Sequence, residues 1–84
     1  MPFFVYILYS KEIDKYYIGF TENVSERLKK HLANHSGFTG KAKDWEIKLI
    51  EEFGTKMQAM AREAELKRWK NRARLEALII KTVG

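Results

Sequence analysis

The sequence predicts an α+β domain: a small antiparallel three-stranded sheet flanked by helices, in the order ββαβαα. Three observations carry this reading. Two apolar, aromatic runs near the start are separated by a connector of hairpin length. A third run, Trp45 to Phe53, alternates with period two. The segments after the second and third runs open with helix-capping pairs and continue with apolar residues at helical spacing.

Phe3 to Tyr9 is a continuous apolar run, as expected of a strand buried on both faces in the middle of a sheet. Lys11 to Lys15 is the polar connector, and Tyr16 to Phe20 the second strand. Gly19 inside that strand predicts a bulge or a close backbone approach. Asn23 with Glu26 has the spacing of a capping box. Val24, Leu28, His31 and Leu32 then follow at helical intervals, with an expected end near Asn34. His35 to Asp44 reads as a loop. In the third strand Trp45, Ile47, Leu49 and Glu51 are expected on one side, and Glu46, Lys48, Ile50 and Glu52 on the other. Gly54 ends it, and Thr55 with Gln58 caps a second helix. That helix is expected to bury Met57, Met60, Ala61 and Ala64. Asn71 starts a last helix carrying Leu75, Leu78, Ile79 and Thr82. Residues 1–84 read as one domain, of a length that buries only about 60% of its unfolded surface.

There is no cysteine, so disulfides, thiolate chemistry and cysteine zinc sites are excluded. No apolar run approaches the roughly 20 residues of a membrane helix. The N-terminal layout is not that of a signal peptide, so an intracellular, cytoplasmic protein is the expectation. Sixteen Lys and Arg against eleven Asp and Glu give a net charge of +5 and a pI near 9.6. Such a balance suits a polyanionic partner, nucleic acid above all.

Val5-Tyr6-Ile7 and Tyr17-Ile18-Gly19, followed in order by Arg27, His31 and Glu63, resemble the GIY-YIG nuclease superfamily. The resemblance runs from about Phe4 to Ile79. Its strongest form is to small stand-alone members, with similarity to the catalytic domain of the nucleotide excision repair incision subunit. Val5 stands where the signature has its first glycine. The resemblance implies an endonuclease that hydrolyses phosphodiester bonds, with DNA favoured over RNA as substrate and that choice left open by the residues, and with Mg²⁺ or Mn²⁺ as cofactor. It implies catalytic roles for Tyr6, Tyr17, Arg27, His31 and Glu63, with Glu63 as the metal ligand. The alternatives are a catalytically silent nucleic-acid-binding module, and an accessory domain targeted by a partner protein.

Read as residues alone, each position has two accounts. Tyr6 and Tyr17 are cross-strand core aromatics, or phenols that order or deprotonate a water. A reference pKa near 10 makes the second role dependent on a nearby cation. Arg27 and His31 are spaced i,i+4 and share a helix face. Arg27 either grips a phosphate or lays its stem along the core. Glu63 either forms a helical pair with Lys67 or holds a metal. Glu65 competes for that role but points away from the expected apolar stripe. A lone carboxylate suits Mg²⁺, which keeps waters and takes phosphate oxygens as ligands. The chain carries no added reading helix, so base readout should be limited. Lys67, Arg68, Trp69, Lys70 and Arg72, with Lys41 and Lys43, form either a phosphate-binding rim or a solvated helix face.

Overall fold

The structure, a computed structural model, describes residues 2–33, 42–69 and 71–83, with side chains in the last helix as far as Lys81. Strands β1 (Phe3–Ser10), β2 (Lys15–Thr21) and β3 (Glu46–Phe53) form an antiparallel sheet in the order β2-β1-β3. Helix α1 (Val24–Ala33) follows the hairpin, and α2 (Lys56–Arg68) and α3 (Arg72–Val83) follow β3. The predicted ββαβαα order holds. The expected helix end at Asn34 and most of the expected loop, residues 35–41, lie outside the described residues, as does the side chain of Thr82.

β1 is central, as its unbroken apolar run requires, and Val5, Tyr6, Ile7 and Leu8 are all buried. Its alternate residues serve two separate cores. Val5 and Ile7 join Leu49, Ala59, Leu66 and Leu75 under α2 and α3. Tyr6 and Leu8 join Ala42 and Trp45, with Val24, Leu28 and Leu32 of α1 packed alongside. The sheet is thus sandwiched between α1 on one face and α2 with α3 on the other.

The caps form as the sequence predicts, with one change. Asn23 Oδ1 accepts from the Glu26 amide at 3.0 Å, Thr55 Oγ1 from Gln58 at 3.2 Å and Asn71 Oδ1 from Arg74 at 3.2 Å. The return bond of the first box is replaced: the Asn23 amide donates to Thr21 Oγ1 at 3.2 Å. Thr21 therefore fixes the exit from β2 into α1.

Two expectations are corrected. The β1–β3 register slips between Ile7 and Leu8, which pair with Leu49 and Ile47 and leave Lys48 as an extra residue. One inserted residue reverses the parity of everything before it. Leu49 therefore faces α2 and α3, while Trp45 is buried on the α1 side rather than beside it. The second correction concerns α2. Met57 is 81% exposed and Met60 47%, and Ala61 and Ala64 are exposed too. The buried positions are Ala59 and Leu66, one heptad apart, flanked by the half-buried Arg62 and Glu63. Arg62 turns inward because Glu51 on β3 meets it, at 2.8 Å from Nε and 3.2 Å from Nη2. A charged residue with a partner can occupy an inward face that hydropathy alone assigns to methionine.

The hairpin end is held by a second polar cluster. Asp14, in the left-handed region at φ 54°, accepts from Tyr9 and from the Arg72 guanidinium. The Arg72 side chain lies over the Tyr9 and Tyr16 rings, at 5.9 and 5.4 Å. Buried Ser10 donates to Asp44, whose other oxygen accepts from the Glu12 amide at 2.9 Å. These bonds hold the Asp44 carboxyl below its ordinary range, the Ser10 hydroxyl foremost.

Candidate active site

Tyr6 faces Gly19 across the hairpin and Leu8 faces Tyr17, so the two tyrosines are diagonal neighbours on the α1 face. Their ring centroids are 6.4 Å apart. His31, buried in the last turn of α1, completes a triangle with centroids 5.9 Å from Tyr6 and 4.9 Å from Tyr17. Tyr6 Oη and His31 Nε2 are 3.0 Å apart. Gly19 is what admits the Tyr6 ring: a Cβ there would lie 2.5 Å from Oη and 2.7 Å from Cζ. The glycine of the second tripeptide thus reflects a close side-chain approach, and the sheet's bulge lies elsewhere.

Burial sets the ionisation of the pair. It raises the Tyr6 phenol well above its ordinary value, and Tyr17 and Glu63 add to this against an opposing Arg27. It lowers His31 below 6.5, with Arg27 acting in the same direction. A neutral imidazole donates at one ring nitrogen and accepts at the other, and a protonated phenol can do either. The Tyr6 Oη–His31 Nε2 bond therefore joins two groups that are both uncharged at neutral pH, and the imidazole tautomer sets which of them donates.

This pair has a consequence for stability. Below pH 6.5 the unfolded chain protonates His31 while the folded one resists, so folding stability declines as pH falls through that window. The decline levels off once the folded imidazole also takes its proton. Melting temperatures measured from neutral to mildly acidic pH should show this loss. His31→Gln, which cannot ionise, should show a smaller one.

A cleft of about 570 Å³ opens at the exposed edge of β2. Tyr17 and Gly19 form its floor, Arg27 and Lys30 of α1 one wall, and Lys56 and Glu63 of α2 the other. The helices cover opposite faces of the sheet, yet residues of both line the cleft beside this edge strand. Glu63 retains 21% of its side-chain exposure and Glu65 48%. Glu65 is bound to Arg62 on another side of α2. Glu63 lies 3.7 Å from Lys67, beyond hydrogen-bond range, so this ion pair leaves its oxygens acceptor capacity.

The cleft includes cations that sequence reasoning passed over. Lys30 is three residues from Arg27, and Lys56 is seven from Glu63, so each shares its neighbour's helix face. That spacing was the available signal. Of the expected basic rim, Lys43 donates to the Leu32 carbonyl at 3.3 Å, and Arg72 is engaged by Asp14 and Glu76. Trp69 lies beneath the Arg74 guanidinium, 4.1 Å from the ring centroid. Arg68 is exposed, and Lys67 lies beside Glu63. Lys41 and Lys70 lie outside the described residues.

The GIY-YIG catalytic domain family matches residues 2–82. The chain belongs to that family. Membership implies a nuclease-type function and suggests DNA binding. Among solved structures, the chain is similar to the solution NMR structure of the UPF0213 protein BH0048 from Bacillus halodurans. The two are 27% identical, with a TM-score of 0.59, over 96% of this chain and 86% of that one. No curated protein gives a significant match.

GIY-YIG nucleases are generally dependent on a divalent metal. Among the described residues, no group of three or more His, Cys, Asp or Glu side chains is placed to hold an ion. Glu63 fits a sparser arrangement: one carboxylate on the α2 wall of an open cleft that Arg27, Lys30 and Lys56 also line, with Glu22 and Glu26 on the β2–α1 side. Mg²⁺ accepts such a site, because water and phosphate oxygens supply its remaining ligands. No helix among the described residues is long and apolar enough to cross a membrane.

Proposed function

We propose that this GIY-YIG domain is a metal-dependent endonuclease that hydrolyses phosphodiester bonds in DNA with little sequence preference. The observation that supports it most is that Tyr17, Arg27 and Glu63 line one cleft. A phosphate entering there meets Arg27, whose guanidinium can bind two oxygens and offset the charge of the transition state. Lys30 and Lys56 hold the neighbouring phosphates. Tyr17 orients the attacking water. Tyr6 stays protonated, bound to His31, and fixes the position of the Tyr17 ring from behind. A Mg²⁺ or Mn²⁺ ion held by Glu63 would polarise the phosphate and assist the departing oxygen.

A panel of labelled linear, nicked, flapped and branched DNAs and RNAs, incubated with Mg²⁺ or Mn²⁺, tests this. Cleavage of DNA that requires the metal supports it. Tyr17→Phe should lose activity more deeply than Tyr6→Phe, since only Tyr17 lines the cleft. Binding without any cleavage would instead favour a silent binding module or a domain that needs a partner.

Affinity should be dominated by phosphate contacts. Log affinity should then fall with log salt by about 0.9 for each phosphate neutralised on duplex DNA. Lys30→Ala and Lys56→Ala should each reduce that slope by about one unit. A salt-independent affinity would contradict the proposed interface.

A further inference from the structure

A second depression, a groove of about 480 Å³, lies on the other side of the β2 edge. Its lining is largely apolar, built from Tyr16, Ile18, Leu66 and Leu75, with Lys15 and Lys67 among its cations. Two features join it to the cleft. Tyr17 lines both depressions, and Lys67 of the groove is the ion-pair neighbour of Glu63 in the cleft. The two depressions therefore neighbour one another along β2, an edge strand among the described residues, with Glu63 and Lys67 between them.

A phosphate site needs cations, not an apolar hollow. An apolar hollow suits the face of a nucleobase, and cations beside it suit the phosphate that the base carries. We propose that the groove is a subsite for one unpaired nucleotide flanking the scissile phosphate, its base against Ile18 and Leu75 and its phosphate against Lys67 and Lys15. This rests on the nuclease reading of the cleft. It makes single-stranded or flapped DNA the preferred substrate, because a base within a duplex is stacked and paired and must be extruded before it can enter.

The test is binding to the wild-type chain in EDTA, followed by NMR. A short DNA single strand is compared with a blunt hairpin duplex of the same sequence. The single strand should shift the resonances of Ile18, Leu75 and the Trp69 indole, and bind about tenfold more tightly than the duplex, the equivalent of one stacked base. Lys15→Glu, at an exposed position outside the cleft, should remove much of that difference. Shifts confined to cleft residues such as Thr21 and Lys30, equal for both ligands, would overturn the groove and leave the nuclease reading standing. Binding of neither DNA would overturn both.

Discussion

Glu63→Gln should abolish cleavage while leaving the protein folded and able to bind DNA. The charge that would hold the metal is lost, but size and helix propensity are kept. Removing a group that stabilises transition-state charge typically reduces turnover by on the order of a hundredfold to a thousandfold. Losing a pair like that with Lys67 costs only about 0.3–0.5 kcal/mol. Its 3.7 Å separation places it at the weak end. DNA affinity should hold or rise slightly, since a negative charge has left the cleft. Glu65→Gln is the matched control: it loosens Arg62 on another side of the helix and should keep activity. The measurement is single-turnover cleavage beside thermal melting and binding. Equal rates for wild type and Glu63→Gln would place the metal elsewhere.

Gly19→Ala should be disproportionately harmful for one methyl group. Replacing a strand glycine with alanine ordinarily stabilises by about 0.4–1 kcal/mol, through the unfolded chain. Here the new Cβ would lie 2.5 Å from the Tyr6 hydroxyl oxygen and 2.7 Å from Cζ. Tyr6 is only 3% exposed and bound to His31, so its ring has nowhere to retreat. Overpacking of this kind costs about 1–3 kcal/mol, which outweighs the entropic gain. The displaced ring would also leave His31 and push on Tyr17. Cleavage should therefore fall even where melting shows the protein fully folded. A variant with native melting temperature and native rate would mean that the ring moves aside at no cost.

The sheet was the most legible part of the sequence. The run from Phe3 to Tyr9 has no polar residue to face water, and that placed β1 in the centre before any pairing was known. Caps were legible for the same reason: Asn23, Thr55 and Asn71 each stand three residues before an amide they bind. Parity within β3 was not. A bulge at Lys48 leaves no mark in the residue types around it, yet it moves Trp45 to the opposite core. The inward face of α2 was misread because its partner lies elsewhere. Nothing near Arg62 announces Glu51, eleven residues earlier on strand β3.

The site shows the same division. The ordered residues Tyr6, Tyr17, Arg27, His31 and Glu63 were singled out by resemblance, and the structure divides them: Tyr17, Arg27 and Glu63 line the cleft, while Tyr6 and His31 are buried beside Tyr17. The reason given for Glu63 was different from the one the fold supplies. It was expected beside a methionine stripe, but that stripe faces solvent. Glu63 is turned toward the cleft because Ala59 and Leu66 on its own face pack onto the sheet. Lys30 and Lys56 were not legible as a pair, because they come together only in the fold, whereas Lys67 to Arg72 cluster along the chain itself.

The clasp between Asp14 and Arg72 joins residues 58 apart in the chain. A ribosome releases them in the same order. Both tyrosines, Arg27 and Glu63 have all been synthesised before Arg72 exists, so every residue assigned to the cleft is present while the hairpin turn still lacks its guanidinium. The groove is different, for Leu75 and Arg72 form part of its wall. Biosynthesis therefore supplies the cleft residues first and the flanking groove last, and the Asp14–Arg72 clasp closes only afterwards, together with the still longer Tyr16–Glu76 connection.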